Sequence, residues 1–139
     1  MASLIYNSFL DDLAKGNIDL DTDTFYGMFV GAGYTPNKDT HTKRSDVTSE
    51  ASGTGYTAGG AATAVTVTKD TANDRVDITF GSISIPTATV TWVACVIYKR
   101  RGGASSADEL VAYVDNGGST SSSGGTALQT FTSPLRFQN

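Results

Sequence analysis

Cys95 and His41 are the only cysteine and the only histidine in the chain, and together they have the chemistry of a nucleophile and its base. Their settings argue against that use. Cys95 lies in the apolar run VTWVACVIY with no basic group close by to favour a thiolate, so it reads as a small buried hydrophobe. One cysteine also rules out an internal disulfide and a thiolate metal cluster. His41 sits in a polar stretch rich in Gly and Thr, and no G-x-S-x-G signature occurs, so it reads as a loop histidine. Asp19, Asp21 and Asp23 repeat the opening of a calcium loop, but Thr24 stands where glycine is required and Val30 where the bidentate glutamate belongs. On an extended chain the three carboxylates point to one side, which suits a solvated strand face, with a loose calcium site as the alternative. GTGYTAGG at 53–60 lacks the strand, helix and lysine of a phosphate loop, so its glycines are expected to serve tight turns. Glu50 and Glu109 are the only glutamates, and no carboxylate spacing selects the opposed pair of a glycosidase. Lys99, Arg100 and Arg101 form a basic knot at a strand end, either capping an exposed hairpin or meeting a carboxylate surface. The residues therefore predict no catalytic group, no metal and no cofactor.

The elements that must position these residues follow from composition. Thr, Ser and Gly number 20, 14 and 15 of 139 residues, while helix formers are scarce, which favours an all-β chain. Leu, Ile, Val and Phe total 29, enough for one thin core and a single domain over 1–139. Such a domain gains from association. Ten basic against fourteen acidic residues, a net charge of −4, argue against nucleic acid or an anionic membrane as partner. The opening MASLIYNSFLDDLAKG has no basic start and breaks its apolar stretch at Asn7, so neither a secretory signal nor a membrane span is expected.

Along the chain, 3–15 reads as a helix capped by Ser3 or Asn7, with Ile5, Phe9 and Leu13 on one face and Gly16 at its end. Residues 18–30 read as a strand entering the core. The thirty residues 31–60 contain one β-branched aliphatic, Val47, and read as an extended arm that builds no core and contacts a neighbour. Tyr34, Pro36, Lys38, His41, Arg44 and Tyr56 are its candidate contact residues. Excising 34–60 should then leave the β domain folded. Strands are expected at 64–69, 75–80, 88–100, 109–115 and 127–131, with Trp92 in a central strand, DTAND as a hairpin turn and NGGSTSSSGG as a flexible tip. The expected fold is an antiparallel β-sandwich or small barrel with one short N-terminal helix and a long extended loop.

Several stretches resemble small virion structural proteins of tailed bacteriophages: LAKGNIDLDTDTFYGMFV at 13–30, YTPNKDTHTKRSDVTSE at 34–50, SGTGYTAGG at 52–60, and VIYKR with LVAYVD between 96 and 115. The likeness rests on their order and spacing and leaves out the C-terminal quarter. The chain departs from the family directly after VIYK, where Arg100 and Arg101 replace an expected acidic residue and glycine. The resemblance implies a particle component, made in the host cytoplasm and residing in the virion. With no catalytic constellation and a long polar arm, the expected role is a capsid decoration or cement protein. Its partners would be the major capsid protein and itself, as a homotrimer or other small oligomer. The alternative is a receptor-binding module of a tail or head fibre, with Tyr34, Tyr56 and Tyr113 as exposed platforms for host glycans. An enzyme such as a depolymerase is the least favoured reading.

Overall fold

The computed structural model describes residues 2–139. Its elements, in chain order, are β1 (Leu4–Ile5), α1 (Asn7–Ala14), β2 (Phe25–Val30), β3 (Ala61–Thr63), β4 (Val65–Asp70), β5 (Arg75–Phe80), β6 (Ile83–Lys99), β7 (Leu110–Gln129) and β8 (Leu135–Gln138), with short 3-10 turns at Arg44–Asp46 and Ser105–Ala107. The strands form two antiparallel sheets, five-stranded in the order β1-β7-β6-β2-β3 and three-stranded in the order β4-β5-β8. The fold is thus all-β and sandwich-like, with one short helix and no closed barrel.

The central sheet is covered on both faces, which explains the unbroken apolar run in β6, where residues 94–98 are all buried. One face, carrying Met28, Val30, Val96, Tyr98 and Leu110, packs against Tyr6, Tyr34 and Val47. On the other, Phe25, Ile97 and Val111 meet Phe9 of α1 and Ile78 and Phe80 of the smaller sheet. A third cluster forms where the β6–β7 ribbon bends and brings Ile83, Ile85 and Ala127 against Phe29, Trp92 and Cys95. Register shifts at four points of the ribbon, and a positive φ of 52° at Thr87, produce that bend. The indole of Trp92 is stacked 4.4 Å from the Phe29 ring and donates its N–H to the Gln129 side-chain oxygen at 2.7 Å. Trp92→Ala is expected to cost about 3–5 kcal/mol, as for other large buried aromatics. Urea unfolding measures this, and a loss below about 1 kcal/mol would contradict the packing.

Three expectations need correction. The first helix begins at Asn7, not Ser3, because Leu4 and Ile5 pair with Tyr113 and Ala112 as an edge strand. Residues 18–24 form a turn rather than strand: Asp23 takes the Asp19 N–H at 2.7 Å, Asp19 takes the Asp21 N–H at 3.0 Å, and Asp23 pairs with Lys99 at 2.8 Å. These carboxylates are directed at their own backbone and at Lys99, and no group of metal ligands occurs among the described residues. The Gly/Ser run at 116–125 is no tip. It lies within β7, whose 120–125 stretch pairs with 88–92 of β6, since a ladder needs backbone groups and β6 supplies the side chains that fill the core. The DTAND turn, by contrast, forms as expected between β4 and β5, with Asp74 at φ 52° and Asn73 donating to Asp70.

Candidate assembly surface

The 31–60 segment lies across the body instead of projecting from it. It is pinned by isolated bridges at Val30–Glu50, Lys43–Glu109 and Thr54–Thr89. Backbone hydrogen bonds from Gly31 to Ser49, Ala51 to Phe29 and Arg44 to Asp108, at 2.8–2.9 Å, run beside them. Two glycines make this contact possible. A Cβ at Gly53 would stand 1.8 Å from the Thr89 carbonyl oxygen, and one at Gly60, whose φ is +80°, 1.8 Å from that of Gly27. The glycines of 53–60 therefore serve close approach as well as turns.

Of the six candidate contact residues, three have side chains turned mainly inward. Tyr34 is 3% exposed, tilted against Tyr113, with its hydroxyl 2.9 Å from both the Tyr6 hydroxyl and His41 Nδ1. The Asn37 N–H also points at His41 Nδ1, at 3.2 Å, which makes this nitrogen an acceptor and orients the chain from Tyr6 to Tyr34 to His41. Pro36 is buried. Tyr56 stacks on Phe29 at 5.4 Å, accepts the Phe29 N–H at 3.0 Å and donates to Glu50 at 2.9 Å. Burial raises the hydroxyl pKa of Tyr6 and Tyr56 far above the ordinary value, and that of Tyr98 to about 12. The remaining three are anchored differently. His41 is half-buried and stacked on Tyr34 at 5.6 Å. Arg44 bonds Asp108 at 2.8 Å while its guanidinium lies 5.1 Å from the Tyr98 ring centre. Lys38 keeps an exposed side chain, and its carbonyl accepts the Asn7 N–H at the start of α1.

The expectation that this stretch builds no core is thereby corrected: a few large side chains suffice, Tyr34 and Val47 covering one face of the central sheet and Tyr56 packing on Phe29 at the other. The picture of Tyr34, Tyr56 and Tyr113 as exposed platforms is corrected with it, because their rings are covered by their own chain. Cys95 is fully buried, and burial pushes its thiol pKa up. Two of the three hairpin charges are used locally: Lys99 bonds Asp23 and the Asn17 carbonyl, and Arg101 bonds Glu109 at 2.7 Å.

Large apolar groups exposed to water lie elsewhere, Leu10 on α1, Leu128 on β7 and two in the smaller sheet, where the sequence pattern alone gave no sign of them. In the smaller sheet, Val67 is opposite Ile78, and Phe137 opposite Val76, so these residues share the face that enters the core. Ile78 is 1% exposed, yet Val67 and Phe137 are 40% and 41% exposed. The apolar face thus overhangs the body, beside the unpaired edge of β4. The opposite face carries Asp70, Arg75, Asp77 and Arg136 in a chain of ion pairs of 2.6–3.4 Å.

No helix among the described residues is long and apolar enough to cross a membrane. Comparison of the chain with protein-family models, curated proteins and solved structures found no match.

Proposed function

We propose that this protein is a non-enzymatic structural component of a tailed-phage virion, a capsid decoration protein that associates with itself in a small oligomer and ties major capsid subunits together. The observation that carries this reading is the overhanging face of β4-β5-β8, where Val67 and Phe137 stand half in water beside an open sheet edge. A thin-cored domain that leaves large apolar groups beside an unpaired strand gains stability when another subunit covers them. The pinned 31–60 segment supports the same role, since it presents its polar backbone turns as a fixed relief and loses little further entropy on contact.

Light scattering of the purified chain is expected to show an oligomer, and Val67→Ser with Phe137→Ser a folded monomer. Added to phage heads that lack the protein, the native chain should bind in hundreds of copies and raise the temperature at which heads burst, while the double variant should not. Equal binding by the variant would remove this face from the contact, and a few copies per particle would favour a tail or vertex position over decoration.

A further inference from the structure

At the turn joining β6 to β7, a cleft of about 370 Å³ opens between the hairpin loop and the 57–60 turn. Two arginines stand in its walls, each lying over a tyrosine: Arg100 with its guanidinium carbon 4.5 Å from the Tyr26 ring centre, and Arg44 at 5.1 Å from that of Tyr98. The two rings are themselves 6.3 Å apart. Arg44 uses its Nε on Asp108 at 2.8 Å, which leaves its terminal nitrogens facing the cleft. Gly59 keeps that edge open, since a Cβ there would stand 3.7 Å from Arg44 Nη1 and 3.2 Å from the Tyr98 hydroxyl. Arg100 is the one arginine with no carboxylate within ion-pair reach among the described residues; its backbone N–H bonds the Thr24 carbonyl at 2.9 Å, and its side chain makes only a long 3.4 Å approach to the Tyr26 hydroxyl.

We propose that this cleft is a binding site for a carboxylate side chain, Glu or Asp, of a protein partner, gripped between Arg100 and the outer edge of Arg44. Guanidinium groups held over aromatic rings have already lost much of their rotamer freedom, and their N–H groups suit a planar carboxylate. Buried Asp108, and Glu50 whose carboxylate accepts the Gly59 N–H, offset much of the charge of the two arginines, so the pull on an anion comes from Arg100 and suits a single carboxylate better than a phosphate dianion. The tyrosine faces are already occupied by the arginines, which leaves no flat platform for a sugar ring, whereas Tyr and Arg together are the usual anchors of protein interfaces. The assignment does not depend on the virion role.

The test uses the full chain, labelled with nitrogen-15 and titrated with the blocked peptide acetyl-Gly-Glu-Gly-amide. Amide signals of Gly59, Gly102 and Gly103 should shift in a saturable way. The glutamine peptide should bind at least about tenfold more weakly, and added salt should weaken the glutamate peptide. Arg100→Gln, at an exposed position, should keep the thermal midpoint of the native chain and lose at least about tenfold in affinity, with Arg100→Lys in between. Equal shifts from the glutamate and glutamine peptides, or unchanged affinity in Arg100→Gln, would overturn the site. Tighter binding of glucuronate or inorganic phosphate than of the glutamate peptide would overturn the assignment to a protein side chain.

Discussion

Excising residues 34–60 is expected to unfold the whole chain rather than free a β domain from an accessory arm. The deletion removes Tyr34 and Val47 from one face of the central sheet and Tyr56 from its stack on Phe29. Uncovering a large aromatic costs about 2–3 kcal/mol each. It also takes Arg44 from Asp108, which is 1% exposed, and leaves that carboxylate buried without its cation, at roughly 3–5 kcal/mol. Together these losses approach or exceed the 5–15 kcal/mol of stability typical of a domain. Circular dichroism and proton NMR dispersion of the deleted chain measure the outcome. A cooperative thermal transition in that chain would show that the segment is a cover the core can do without. Arg44→Ala alone should reproduce the charge component, lowering stability by roughly 3–5 kcal/mol in urea.

Alkaline pH should unfold the protein cooperatively, at a pH above that at which free tyrosine ionises. Tyr6, Tyr56 and Tyr98 have hydroxyls whose folded pKa is raised, mainly by burial, with Tyr98 at about 12. An unfolded tyrosine titrates near 10. With the folded value raised, the contribution to stability is complete below about pH 10 and is lost as pH rises toward the folded value. In that window these three hydroxyls alone make the unfolded chain release about three more protons than the folded one, and the raised Cys95 thiol adds to them, so stability falls by at least roughly 4 kcal/mol per pH unit. Tyrosinate absorbance and the sheet signal in circular dichroism should therefore change together, between about pH 11 and 13. Tyr98→Phe, which removes one of these groups, should reduce the steepness by about 1.4 kcal/mol per pH unit. Smooth titration of all six tyrosines near pH 10 with the sheet signal intact would show that these hydroxyls are open to water.

How far the sequence could be read differs from one element to the next. β4 and β5 were legible because period-2 alternation and a DTAND turn are local signals, each set by a handful of neighbouring residues. β6 was legible as central because only a strand covered on both faces can carry nine nearly unbroken apolar positions. The Gly/Ser stretch of β7 was illegible as strand for the opposite reason: its own side chains favour no conformation, and its pairing is imposed by β6. The 18–24 turn failed because alternating aspartates look extended, while their carboxylates in fact close the turn on their own N–H groups.

By itself the sequence determined the class of the fold, the inert burial of Cys95 and the central place of Trp92, since these follow from composition and from runs of neighbouring residues. Tertiary structure alone decided that the 31–60 segment faces inward, that the inner face of the smaller sheet overhangs into water, and that Arg44 and Arg100 flank one cleft 56 positions apart in sequence. The physical reason is that burial and pairing belong to surfaces, and those surfaces are assembled from residues that local pattern never brings together.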